Sequence, residues 1–148
     1  MNRHQRRRYQ KQQSKNLNFQ NILLSAIDLH SKKQFKEAEK IYKKLNTSDP
    51  NNYDVLRHLG ILYQDQNKYE EAYNFYLKAI DAKPNGYEAI SNLGTIHLAN
   101  KNSDLAMKCF EKSLSINSKY VPAINNLSGL YHTLNDAKLS LKYAQLAL

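Results

Sequence analysis

The sequence predicts an all-α protein, a solenoid of antiparallel helix pairs, and three sets of spacings predict it. Ala38, Ala72 and Ala106 recur at one constant interval of thirty-four positions, as do Tyr42, Tyr76 and Phe110. Gly60 and Gly94 keep that interval, with Leu59, Leu93 and Leu127 beside them. Pro50 and Pro84 repeat it at the turns. Small, aromatic and turn residues in fixed order at this period mark a repeated two-helix unit, which needs a neighbour to bury its apolar face. Such a chain works through a continuous surface, and a pocket of catalytic groups is not expected.

Residues 1–16 come first and stand apart. They hold Arg3, Arg6, Arg7, Arg8, Lys11 and Lys15 without one acid, which places +6 of the net +9 charge there. Tyr9 is their only aromatic side chain. A segment this polar buries too little surface to offset its ordering entropy, so a basic, flexible tail is predicted. The rest of the chain carries sixteen Lys or Arg against thirteen Asp or Glu, close to neutral.

The periodic part, 19–148, divides into repeats 19–52, 53–86, 87–120 and 121–148, the last incomplete. In the second, Leu56, Leu59, Gly60 and Tyr63 step by 3, 1 and 3, a helical stripe that predicts helix A from Tyr53 to about Gln64. Asp65, Gln66, Asn67 and Lys68 form a polar turn. Helix B is predicted from about Tyr69 to Ala82 and presents Ala72, Tyr76 and Ala79. Pro84 stops it, since proline offers no amide and its ring clashes with the preceding turn. Gly60 and Ala72 are expected where the two helices cross, with Tyr63 and Tyr76 filling the gaps between successive hairpins. The fourth copy ends within helix B at Leu148, leaving Leu141, Leu146 and Leu148 short of cover. This leads to the expectation that the sequence is the N-terminal portion of a longer protein.

The pattern resembles the tetratricopeptide repeat (TPR) family, through Leu56, Leu59, Gly60, Tyr63, Ala72, Tyr76, Ala79 and Pro84 in the second repeat. The third repeat carries Ile90, Leu93, Gly94, Ala106 and Phe110, but His97, Ser113 and Ser118 replace the aromatic, alanine and proline. The first keeps Ile22, Ala38, Tyr42 and Pro50; the fourth keeps Ile124, Leu127, Tyr131 and Ala147, with Ser128 and Ser140 as its small pair. The resemblance implies a right-handed superhelix whose A helices line a concave groove, and a role in binding a protein or extended peptide segment.

It also implies which residues face that groove, among them Arg57, His58, Ser91, Asn92, Thr95, Asn125 and Asn126. The cationic clamp by which some family members grip a C-terminal carboxylate does not fit. Its positions hold Leu23, Ile27, His58, Glu88 and Asn92 in one register, and Arg57, Ile61, Asn92, Pro122 and Asn126 in the next. Asn92 and Asn126 share position 6 of successive repeats, similar to the TPR region of O-linked N-acetylglucosamine transferases. An asparagine amide offers donors and acceptors together and so can pair with both groups of a peptide backbone.

Other signals point away from chemistry. The histidines, His4, His30, His58, His97 and His132, are scattered over separate segments, and no catalytic or metal-ligating residue is assigned. No cofactor is implied, and the protein is not expected to be an enzyme. His97 reads as a packing residue and Cys109 as a buried structural thiol. A single cysteine excludes an internal disulfide, and no apolar run is long enough to span a bilayer, so a cytoplasmic location is the default. The groove offers no base-reading element, so specific nucleic-acid binding is not expected; the oligomeric state is left open. Three readings follow: an interaction scaffold, the substrate-recruiting arm of a TPR-linked glycosyltransferase whose catalytic domain lies elsewhere, and a basic-tailed adaptor for RNA or a membrane surface.

Overall fold

A computed structural model of the chain describes residues 1–146. Among these residues the regular structure is entirely helical, in eight helices. They belong to two compact units, Met1–Pro50 and Asn51–Leu148.

In the first unit, α1 (Arg3–Ser31) packs against α2 (Phe35–Ser48). Its buried side chains are Leu23, Ala26 and His30 from α1 with Ala38, Tyr42 and Leu45 from α2. Here the structure departs from the expected flexible tail: α1 is one helix of 29 residues that runs without a break from Arg3 through the start of the first repeat. The cause is local. Residues 3–21 contain no glycine, proline or β-branched residue, and Arg, Gln and Lys are good helix formers. Asn2 and Gln5 close a capping box, with Gln5 N donating to Asn2 Oδ1 at 2.9 Å and Asn2 N to Gln5 Oε1 at 2.8 Å. Weighing burial alone leaves out these two local terms.

The second unit contains α3 (Tyr53–Asp65), α4 (Tyr69–Ala82), α5 (Tyr87–Ala99), α6 (Ser103–Ile116), α7 (Val121–Thr133) and α8 (Ala137–Leu146). They pack as the pairs α3–α4, α5–α6 and α7–α8. Each of α4 and α6 also packs on the first helix of the next pair. The backbones of α3 and α5 approach each other, as do those of α5 and α7. Within this unit α3, α5 and α7 therefore form a contiguous layer. Between the layers lies a core of Leu56, Ala79 and Ala89 at one end and of Ala106, Phe110, Ala123, Leu127 and Leu130 further along.

The tyrosines expected between hairpins make contacts within one. Tyr63 stacks on Phe75 at 5.4 Å between ring centroids. Tyr76 lies on Gly60, where an added Cβ would stand 2.4 Å from its Cε1. Phe110 covers Gly94 in the same way, at 2.7 Å. The glycines are thus small to admit a ring, and Ala72 is not the side chain nearest to Gly60. His97 does bridge hairpins, meeting Tyr73 edge-on at 5.9 Å.

The turns repeat a feature that residue identities hide. Lys33, Asn67, Lys101 and Asn135 all have φ between 57° and 60°, and they recur at the same interval as the core residues. Each follows an A helix and closes it with the same pair of bonds, as when Asn67 N donates to Gln64 O and Lys68 N to Tyr63 O. Serines replace consensus small residues without loss of bonding. Ser113 Oγ donates to Tyr87 O at 2.9 Å. Ser128 and Ser140 exchange hydroxyl-to-carbonyl bonds at 3.0 and 3.1 Å.

Cys109 is half-buried, short of the full burial expected, and burial pushes its thiol pKa up despite Lys112 nearby. Leu141 and Leu146 are exposed. Ala147 and Leu148 lie outside the described residues.

Candidate partner-binding face

The face formed by α3, α5 and α7 carries all seven of the proposed groove residues, and it does not present them equally. Position 5 of each A helix holds Arg57, Ser91 and Asn125. Ser91 is only 1% exposed, because α5 is flanked by α3 and α7, so it offers no surface to a partner. Asn125, on the last A helix of the described chain, is open to solvent.

Arg57 is the only arginine after residue 8 and its side chain is 20% exposed. One guanidinium nitrogen, Nη2, donates to His58 Nε2 at 3.1 Å and stands 3.8 Å from Asp54 Oδ1. Since arginine only donates, that contact requires His58 Nε2 to be an acceptor. Arg57 Nε is buried with no hydrogen-bond partner. That nitrogen is sealed from the surface, so the exposed part of the guanidinium is what a partner would meet.

Around Arg57 the structure gathers Glu88, already named at a clamp position, and three tyrosines that the sequence reading did not assign to this face. Tyr53 donates to Glu88 Oε2 at 2.8 Å while accepting from Ala89 N at 3.2 Å. Burial alone raises the Glu88 pKa, but its own backbone amide, the Tyr53 hydroxyl and Arg57 outweigh burial and hold it low. Tyr87 and Tyr120 meet edge-on at 4.9 Å. Burial first, then the Glu88 carboxylate, raises Tyr120 against the opposing Arg57 charge. The missed signal was present in the spacing: Tyr53 and Tyr87 open successive repeats, one full period apart.

Deeper in the face, Tyr76 donates to Gln64 Oε1 at 2.8 Å. Thr95 Oγ1 stands 2.7 Å from Asn92 O and 3.3 Å from Gln64 Oε1. Its single proton serves the shorter, intrahelical contact, which occupies Thr95. Asn92 and Asn126 differ from it. Both are half-buried, and neither side-chain amide is hydrogen-bonded to any described residue. Two unengaged amides thus hold the same position on adjacent A helices.

Among the described residues no group of three or more His, Cys, Asp or Glu is placed to hold a metal ion. No described helix is long and apolar enough to cross a membrane.

Two descriptions of the tetratricopeptide repeat match the chain, one over residues 29–95 and one over residues 87–120. No curated protein matches it. Among solved structures, PilF of Pseudomonas aeruginosa is similar with a TM-score of 0.77 and 27% identity over 85% of this chain. The chain spans 58% of that protein's length. A MamA protein is similar with a TM-score of 0.70 at 21% identity, covering 87% of this chain and 70% of its own. A double mutant of MamA from RS-1 gives 0.71 at 14%, over 87% and 72%. At those identities the MamA likeness speaks to the fold alone.

Proposed function

This chain belongs to the tetratricopeptide repeat family, and from that premise we propose that it is an interaction scaffold binding an extended peptide segment along α3, α5 and α7. Repeats of this kind are generally protein-interaction surfaces and are typically non-catalytic. The observation that carries the finer reading is the pair of unengaged, half-buried amides of Asn92 and Asn126. Each can take one backbone N–H and one C=O of an extended chain, with little regard for its side chains. Arg57, a partly exposed cation, supplies a charged anchor at one end of this ladder, and His58 and Asn125 border it.

A peptide selected from a random library against the full chain provides the probe. Asn92→Ala/Asn126→Ala removes four bonds, each worth a net ~0.5–1.5 kcal/mol, so affinity falls by at least roughly 30-fold. Unchanged affinity for every selected peptide removes the ladder. The reading as the recruiting arm of a larger glycosyltransferase rests on the same two asparagines alone. It requires a nucleotide-sugar domain in the same reading frame.

A further inference from the structure

We propose that the first half of α1 is a binding surface for the phosphate backbone of nucleic acid, read without base selection. The helical course of this segment is what creates the surface. Arg3, Arg7, Lys11 and Lys15 step by four along α1, and in a helix that interval returns to one face with a rise of about 6 Å per step. His4 and Arg8 flank the row, while Arg6 lies off it. All residues from Met1 to Asn18 are exposed. The first acidic residue of the chain is Asp28, so no carboxylate of α1 lies near the row in sequence.

The row works against its own helix. Successive like charges at this interval repel, and cations at a helix N-terminus oppose the helix dipole. No acid in the first turn relieves either effect. A closely spaced line of anions relieves both at once, which makes a polyphosphate chain the complementary partner. A membrane surface fits less well. The face opposite the row holds Gln5, Tyr9, Gln12, Gln13 and Asn16, whereas an interfacial helix needs an apolar face to bury. Gln12 Nε2 instead donates to Asn16 Oδ1 at 3.2 Å along that side.

The test uses the full chain and a fluorescent single-stranded DNA of mixed sequence. Neutralising four phosphates gives a salt slope near −3, so affinity falls by roughly 50-fold between about 50 and 200 mM salt. Arg3→Gln/Arg7→Gln/Lys11→Gln/Lys15→Gln abolishes binding at the higher salt and flattens the slope. Lys36→Gln/Lys40→Gln/Lys44→Gln/Lys108→Gln removes the same charge from exposed sites elsewhere and leaves most binding intact. Equal loss in both variants overturns the row in favour of net charge. A third variant, exchanging Arg7 with Gln13 and Lys11 with Gln12, keeps composition and breaks the alignment; unchanged binding there also overturns the proposal. So does tighter, row-dependent binding to vesicles containing phosphatidylserine, or equal competition by polyglutamate.

Discussion

Replacing Gly60 with alanine tests the packing of one ring on one backbone. An added methyl carbon would stand 2.4 Å from Cε1 and 2.6 Å from Cδ1 of Tyr76. Ordinary contact begins at 3.4 Å, so the ring has to retreat by about 1 Å. It has little freedom to do so, being fully buried with its hydroxyl 2.8 Å from Gln64 Oε1. Overpacking of this kind costs ~1–3 kcal/mol. Against it stands the better helix propensity of alanine, about 1 kcal/mol. The net expectation is a loss of about 1 kcal/mol. Gly129→Ala supplies the control, since a Cβ there meets nothing within 4 Å; only the propensity remains, and stability rises by about 1 kcal/mol. The two variants therefore differ by the packing term alone, ~1–3 kcal/mol. Gly94→Ala should fall between them, as the Phe110 ring is 2.7 Å from the new Cβ and has no hydroxyl to anchor it. Urea unfolding followed by circular dichroism, with equal m-values, gives the comparison. If Gly60→Ala and Gly129→Ala unfold at the same midpoint, the Tyr76 ring does not fix the size of residue 60.

Other expectations rest on separate features. Lys101 holds a left-handed backbone at φ 59°, so Lys101→Gly should stabilise the chain by about 1 kcal/mol, and Asn67→Gly by less, in the same unfolding assay. Ala72 is fully buried, and Ala72→Leu should lower the melting temperature, at a cost of ~1–3 kcal/mol; an unchanged melting curve counts against the register. The Glu88 pKa is depressed in the folded chain, so its stabilising contribution is present above the unfolded carboxylate range and is lost as pH falls through the folded value. Glu88→Gln should flatten the acid limb of a stability–pH profile below about pH 4. Tyr53 and Tyr76 are raised well above the ordinary phenol range, first by burial and then by Glu88 and Asp65 respectively. Their contribution is full below about pH 10 and lost as pH rises further, so Tyr53→Phe should blunt alkaline unfolding.

The fold was legible because its signal sits in residue types with one physical use each. Gly60 and Gly94 admit a ring, Ala72 and Ala106 admit a helix, and Pro84 ends one. Helix A of the second repeat, expected from Tyr53 to about Gln64, runs to Asp65, and helix B spans Tyr69–Ala82 as expected. What stayed hidden depended on backbone or on pairs. Lysine at 33 and 101 gives no hint of a left-handed turn, because the Schellman bonds that impose it are made by main-chain atoms. Spacing alone set Tyr63 and Tyr76 between hairpins, since it cannot say which neighbour a ring will meet. The first half of α1 was read through burial, although capping and propensity govern an exposed helix. On the candidate face, spacing aligned Asn92 with Asn126, but the burial of Ser91 and the Tyr53–Glu88–Arg57 cluster arise only from the packing of α3, α5 and α7.

The most direct test of the interaction surface is side-chain amide NMR of the full chain, titrated with a library-selected peptide. If the asparagine pair holds the peptide, the side-chain amide resonances of Asn92 and Asn126 shift together, with backbone changes concentrated on α3, α5 and α7. Changes confined to α4 and α6, with both asparagine amides unmoved at saturation, would contradict that reading.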